Sequence, residues 1–369
     1  MKYLKHKLIL FFLLLLIFSS CKKEKLIQIS SNATPYQLVI PQGFPTKYYN
    51  PADNPLTVEG IELGRLLFYD GRLAGRTDLD SLTSCATCHK QSKAFECGYH
   101  PSGITGIKTP HVMLPLINLI WNPNTLLWNG KVANIEDLFW MGIYAPHEMK
   151  SDTNRAKAMI QSIPMYPPLF KKAFGSEIVT AKNMGKAIAQ FIRILISSNS
   201  KFDKYLKGEA NLSAQELNGF VLFTTENGGD CFHCHGGEGN PLFTTNQFYN
   251  NGKDTVFTDT RDRYAVTHNP KDIGAYKATT LRNIELTGPY MHDGRFQTLN
   301  DVLNFYATGL FYSPSVSSLM HHVSNNGNQL TLSQQQDLLS FLKTLTDSVF
   351  THNPDFSNPR PNDPYFINE

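Results

Sequence analysis

Cysteine is scarce in this chain, six among 369 residues, and four of the six are committed to two copies of one short pattern. A disulfide framework is therefore excluded, because too few thiols are left to pair. Charge imbalance is nearly absent: 34 Lys and Arg stand against 31 Asp and Glu. Nothing in that balance points to nucleic acid or to a strongly charged partner. A membrane-length apolar run is missing from the N-terminal region, where the stretch Leu8 to Phe18 is too short to be a comfortable span.

What is there is a repeated attachment signature. Cys85, Cys88 and His89 spell Cys-Ala-Thr-Cys-His, and 146 residues later Cys231, Cys234 and His235 spell Cys-Phe-His-Cys-His. In C-x-x-C-H the two thiols add across the vinyl groups of a haem and the following His ligates its iron from the proximal side. A zinc site is the competing use of Cys-x-x-Cys, but paired zinc knuckles stand only about 15–20 residues apart. Two covalent c-type haems are the expectation.

The N-terminus fits export, the setting such haems need. Lys2, Lys5 and Lys7 precede the apolar run, and Phe18-Ser19-Ser20-Cys21 is similar to a bacterial lipobox. Residues 1–20 read as a lipoprotein signal peptide and Cys21 as the lipidated residue, with Lys22 favouring the outer membrane on the periplasmic side. Cleavage would remove three Lys and leave 31 basic against 31 acidic residues. With Cys21 and the four motif cysteines assigned, Cys97 remains alone and reads as a small buried hydrophobe.

Length allows two domains of ordinary size, one haem in each. Residues 21–40 read as a tether, 41–205 as the first haem domain, 206–350 as the second and 351–369 as an irregular tail. The fold class is mainly α. Ser213 to Glu216 is a capping box that opens a helix, and Ser333-Gln334-Gln335-Gln336 is expected to open another. Met184 to Ser197 is apolar at helical spacing and is expected to pack one domain against the other.

A longer series of landmarks surrounds the motifs. Leu63-Gly64-Arg65-Leu66-Leu67-Phe68-Tyr69-Asp70 precedes the first, and Trp128-Asn129-Gly130-Lys131 and Glu148-Met149 follow it. Leu281-Arg282-Asn283, Pro289-Tyr290-Met291-His292-Asp293-Gly294, Thr298-Leu299 and Phe305-Tyr306 follow the second. From Leu63 to Asp347 the chain resembles the bacterial di-haem cytochrome c peroxidases and their MauG-like relatives. That resemblance implies two cytochrome c-like helical domains whose haems face a shared interface. It also implies reduction of H2O2 to water with electrons from a small cytochrome c or a cupredoxin, and in the MauG-like branch oxidation of a protein substrate through a bis-ferryl state. A di-haem cytochrome that only transfers electrons is the non-enzymatic alternative.

The resemblance assigns roles residue by residue. His89 serves the peroxidatic iron, Glu148 is the distal acid and base, Trp128 relays electrons between the haems, and His235 serves the second iron. Tyr306 is the second haem's distal ligand, as in the MauG-like branch, with Met291 and Met320 as alternatives. A tyrosinate favours ferric iron where a Met thioether favours ferrous iron. His292 and Arg282 support the haems electrostatically. One Ca²⁺ is implied at the backbone of Thr287 and Pro289, but its usual Asn falls near Val112. Two further departures stand out: Leu138 replaces a distal Gln, and Thr105 replaces the loop His that closes the first iron in classical members. The first haem is accordingly expected to be high-spin or weakly capped. A homodimer is the family's habit.

Overall fold

The computed structural model describes residues 33–122, 124–237 and 239–369. The expected signal peptide, residues 1–20, and Cys21 lie outside the described residues. Helices dominate, and among the described residues one sheet pairs two-residue strands, β1 (Phe248–Tyr249) and β2 (Tyr276–Lys277), antiparallel with Phe248 opposite Lys277. Among the described residues no helix is long and apolar enough to cross a membrane.

The first half contains α1 (Val58–Tyr69), a single turn α2 (Cys85–Cys88), α3 (Ile135–Tyr144), α4 (Thr153–Ser162), α5 (Tyr166–Phe174) and α6 (Ala181–Arg193). The second half contains α7 (Lys201–Leu206), α8 (Ala214–Thr224), the turn α9 (Phe232–His235), α10 (Tyr264–Thr267), α11 (Leu299–Thr308), α12 (Leu332–Lys343) and α13 (Ser348–Thr351). Apolar side chains gather into two clusters. One is built on Leu63, Leu67, Phe68, Phe95, Ile188 and Phe191, the other on Phe202, Phe223, Phe243, Leu303, Phe341 and Leu345.

The two clusters share a construction. A helix ahead of each C-x-x-C-H crosses a later helix with a glycine at the contact. A Cβ on Gly64 of α1 would stand 2.0 Å from the Ala187 carbonyl oxygen of α6, and one on Gly219 of α8 would stand 2.0 Å from the Asp337 carbonyl oxygen of α12. Only a residue without a side chain allows backbones to approach so closely. Phe191 and Phe341 pack beside the two contacts.

Several expectations shift here. The apolar helix expected over Met184–Ser197 runs from Ala181 to Arg193 and lies within the first cluster against α1, so it forms that core instead of joining the domains. The capping box at Ser213 and Glu216 is present. The late box sits at Thr331 with Gln334, two residues before the expected Ser333, because Thr331 takes the extended N-cap conformation and accepts from the Gln334 N–H. The chain passes between clusters from Leu195 to Phe202, where Ser200 and Asp203 form another capping box.

Both ends of the described chain grip the first half. Val58 donates to the Thr34 carbonyl at 2.9 Å and Tyr36 to the Leu56 carbonyl at 3.0 Å, so the part of the tether nearest α1 is pinned. The tail beyond Thr351 has no helix, yet Phe356 and Phe366 are buried in the first cluster. Tyr69 Oη donates to the Phe356 carbonyl at 2.7 Å and Ile367 N to the Tyr69 carbonyl at 2.8 Å. Cys97 is buried beside Glu96, and its Sγ donates to the Tyr99 carbonyl at 2.7 Å. Burial pushes that thiol up to about 12, which suits an unreactive core residue.

Candidate active site

Each attachment motif lines its own cavity. The first, about 1000 Å³, is walled by Cys85, Cys88 and His89 together with Leu116, Leu138, Met141, Met149 and Glu148. The second, narrower cavity is walled by Cys231, Cys234 and His235, and across from them by Met291, Tyr306 and Met320. Trp128, Val112, Met113, Leu114 and Pro115 belong to both walls, so the two cavities adjoin.

Two thiols and one imidazole at the floor of an apolar cavity are the donor set a covalent haem requires, and ring orientation completes the fit. His89 Nδ1 lies 2.6 Å from the Phe95 carbonyl and His235 Nδ1 lies 3.0 Å from the Thr279 carbonyl. A carbonyl accepts only, so Nδ1 carries the proton and Nε2 is left as the free donor atom. Burial pushes both imidazoles down to about 4, which keeps them neutral and ready to ligate.

Glu148 follows α3 on a tight turn. Its N–H donates to the Ala145 carbonyl at 3.0 Å and its carbonyl accepts from Ile104 N at 2.9 Å. Gly142 makes room for the carboxylate, since a Cβ there would stand 2.9 Å from Glu148 Oε2. Desolvation raises the Glu148 pKa above the ordinary carboxylate value. His147 Nε2 lies 3.9 Å from Glu148 Oε1 and lines the same cavity, a second titratable group that the sequence pattern did not flag. Leu138 faces this cavity as an apolar wall. Thr105 does not line it: its Oγ1 donates to the Pro146 carbonyl at 2.7 Å. His100 is spent on the Thr109 carbonyl at 2.6 Å.

Trp128 is fixed in the common wall by its indole N–H, which donates to the Val112 carbonyl at 2.9 Å. Behind it lies a compact polar group. His292 stacks on Tyr276 with ring centroids 3.5 Å apart, and Asp259 Oδ2 meets His111 Nε2 at 2.5 Å and Tyr276 Oη at 2.9 Å. Burial pushes His292 down to about 3, so it is a neutral packing partner of Trp128, 6.3 Å between centroids. Lys277, also in both walls, donates to Thr125 Oγ1 at 2.9 Å and is pushed down to about 7 by desolvation. An anionic group in either cavity would restore its charge.

In the second cavity Asn251 was not anticipated, yet its Nδ2 lies 3.0 Å from Tyr306 Oη and 3.6 Å from Met291 Sδ. Both candidate ligands therefore lean on one amide. Burial raises the Tyr306 pKa, while the Asn251 N–H pulls it the other way. Arg282 lies outside both walls: its guanidinium is fully buried and forms two hydrogen bonds, 2.8 and 2.7 Å, to the Asp203 carboxylate. Thr287 and Pro289 border the second cavity, as does Val112, which is buried and has its carbonyl occupied by Trp128.

The chain is similar in sequence and in fold to known proteins. Residues 58–211 match the family model described as di-haem cytochrome c peroxidase. Methylamine utilization protein MauG of Methylorubrum extorquens is 33% identical over 304 residues, covering 82% of each chain. Cytochrome c551 peroxidase of Nitrosomonas europaea is 32% identical over 318 residues, covering 84% of this chain and 85% of its own. A solved MauG-like protein associated with microbial copper homeostasis superposes with a TM-score of 0.79 at 32% identity, over 88% of this chain and 99% of the other. Two adjoining cavities, each floored by its own Cys-x-x-Cys-His and sharing a tryptophan, are thus carried by a member of the di-haem cytochrome c peroxidase and MauG family.

Proposed function

We propose that this chain is an exported peroxidase that reduces H2O2 to water in the first cavity, with electrons arriving through the second. The observation that carries this reading is the placement of Glu148 in the wall of the cavity floored by His89, Cys85 and Cys88. A c-type haem held there would supply the iron at which peroxide takes up two electrons and two protons to give two waters.

The protein's own part is proton handling and positioning. As a carboxylate, Glu148 accepts the proton of the peroxide oxygen nearer the His89 side; as a carboxylic acid it returns that proton to the far oxygen, which leaves as water. Its raised pKa brings the two protonation states closer in energy near neutrality. Leu138 contributes no hydrogen bond, so Glu148 with His147 beside it carries the polar work on that face. Trp128, locked by Val112, is the aromatic group both cavities touch and serves as the electron relay. In this reading residues 41–205 bind peroxide and 206–350 pass electrons.

Tyr306 favours a second reading, oxidation of a protein substrate, because a phenolate beside the second iron stabilises oxidised states. Steady-state assays of the purified holoprotein separate the readings. Peroxide consumption driven by a reduced small cytochrome c or cupredoxin supports the first. Peroxide consumption with neither donor, accompanied by oxidation of an added protein, supports the second. No consumption under either condition leaves a cytochrome that only transfers electrons.

The anchoring reading rests on the residues around Cys21: a diacylated thiol would hold the enzyme on the periplasmic side of a membrane, and fatty-acid labelling lost in Cys21→Ala tests it. A Ca²⁺ on the Thr287 and Pro289 carbonyls would draw its remaining oxygens from water, because Val112 offers no side-chain oxygen. Sedimentation of the holoprotein tests the homodimer.

A further inference from the structure

Beside the second cavity, two stretches far apart in the chain bring imidazole and carboxylate groups together. Asp230 and His233 stand on the turn that carries the second attachment motif, and His321 opens the short 3-10 helix His321–Asn325. His233 Nδ1 lies 2.5 Å from Asp230 Oδ1, and His321 Nδ1 lies 3.3 Å from Asp230 Oδ2. All three donor atoms fall within 4.8 Å of one another. Glu226 adds a fourth, with Oε1 3.2 Å from His321 Nδ1.

Hydrogen bonding alone satisfies this group poorly. His321 Nδ1 can carry one proton and faces two carboxylate oxygens at nearly equal distance. One cation would serve all four donors at once. Ligand atoms about 2.0–2.1 Å from a tetrahedral Zn²⁺ stand roughly 3.3 Å apart, the separation already present between His321 and its two carboxylate partners. The His233–Asp230 contact, at 2.5 Å, would open on binding. His322 is not a donor to the group, since its Nε2 meets the Glu226 carbonyl at 2.8 Å and so holds Glu226 in place. Two imidazoles with carboxylates suit Zn²⁺ or Cu²⁺ and not the hard cations that prefer oxygen alone.

We propose that Asp230, His233 and His321, with Glu226 as the fourth ligand, bind one Zn²⁺ or Cu²⁺ ion. The ion clips the His321–Asn325 turn to the haem-attachment turn. Because Asp230, His321 and His322 also line the second cavity, the bound ion stiffens a wall of that cavity.

Equilibrium dialysis of the EDTA-treated holoprotein against Zn²⁺, and separately against Cu²⁺, tests the site, with bound metal and iron counted by mass spectrometry. Uptake of one ion of either metal per two irons at micromolar free metal is expected, with a rise in melting temperature on loading. The double variant His233→Ala/His321→Ala should keep both haems and lose the uptake and the thermal shift. Should that variant not fold, His321→Asn alone, at a solvent-exposed position, should weaken uptake roughly tenfold or more. Wild-type protein that takes up neither metal, or variants that take up as much as wild type, would overturn the site. Asp230 is left intact because it occupies the left-handed region at φ 55°, where Ala would add strain.

Discussion

Asn251 donates its side-chain N–H to the Tyr306 hydroxyl at 3.0 Å and so holds the phenol that faces the second haem-attachment motif. Burial raises the phenol's pKa, so in the proposed reading, with Tyr306 as the second haem's distal ligand, the phenol would ionise under the pull of ferric iron. The amide would then hydrogen-bond an anion, a stronger interaction than one to a neutral phenol. Replacing Asn251 by Leu removes that support from the ferric state. A charge-assisted hydrogen bond is worth about 1.5–3 kcal/mol, so the midpoint potential of the second haem should rise by roughly 60–130 mV. Spectroelectrochemical titration reads the shift.

Glu148→Gln keeps the shape of the side chain and removes its proton chemistry. The peroxide kcat/KM should fall by about 10²–10⁴-fold with both haems retained. Direction of the pH effect follows from desolvation, which raises the Glu148 pKa. The carboxylate that accepts the peroxide proton predominates above that pKa, so the wild-type rate rises with pH through an apparent value above the ordinary carboxylate range. The Gln variant should lack this acidic limb, as pH profiles of the two proteins would reveal.

Trp128→Phe leaves an aromatic ring in the common wall without the hydrogen bond to Val112. Stability should drop by about 1 kcal/mol. Reaction of the fully oxidised or pre-reduced first haem with one equivalent of peroxide should be unchanged, while re-reduction of that haem through the second slows. Stopped-flow spectra at a wavelength that separates the haems check both halves of the prediction.

The two helix crossings carry a stability prediction. Gly64→Ala and Gly219→Ala each place a methyl group against a facing backbone carbonyl, at a point where the helices have no slack. Each should cost about 1–3 kcal/mol through forced separation of the pair. Urea unfolding should show the loss for either variant, with the damage confined to the domain that carries it.

Local patterns in the chain foretold the elements whose causes are local. The haem motifs depend on spacing of a few residues, and the Ser213–Glu216 capping box closes within one turn, so both could be read directly. Thr331 and Ser333 offered the same local signal two residues apart, and the backbone conformation chose between them. Met184–Ser197 showed its apolar stripe but not its partner, because the Gly64–Ala187 contact joins residues more than a hundred apart. Asn251, His147 and Lys277 reach the cavities from loops and a short strand with no motif of their own, and only the folded chain brings them there. Arg282 was conspicuous in its motif, whereas Asp203, the residue that takes its charge, was not.

Inequality of the two haems is the centre of this account, and low-temperature EPR of the ferric holoprotein measures it most directly. Wild-type protein should show one high-spin and one low-spin haem. Tyr306→Phe should abolish or shift the low-spin signal and leave the high-spin signal of the Glu148 cavity unchanged. A low-spin signal that survives Tyr306→Phe unaltered, or a wild-type protein in which both haems are low-spin, would contradict it.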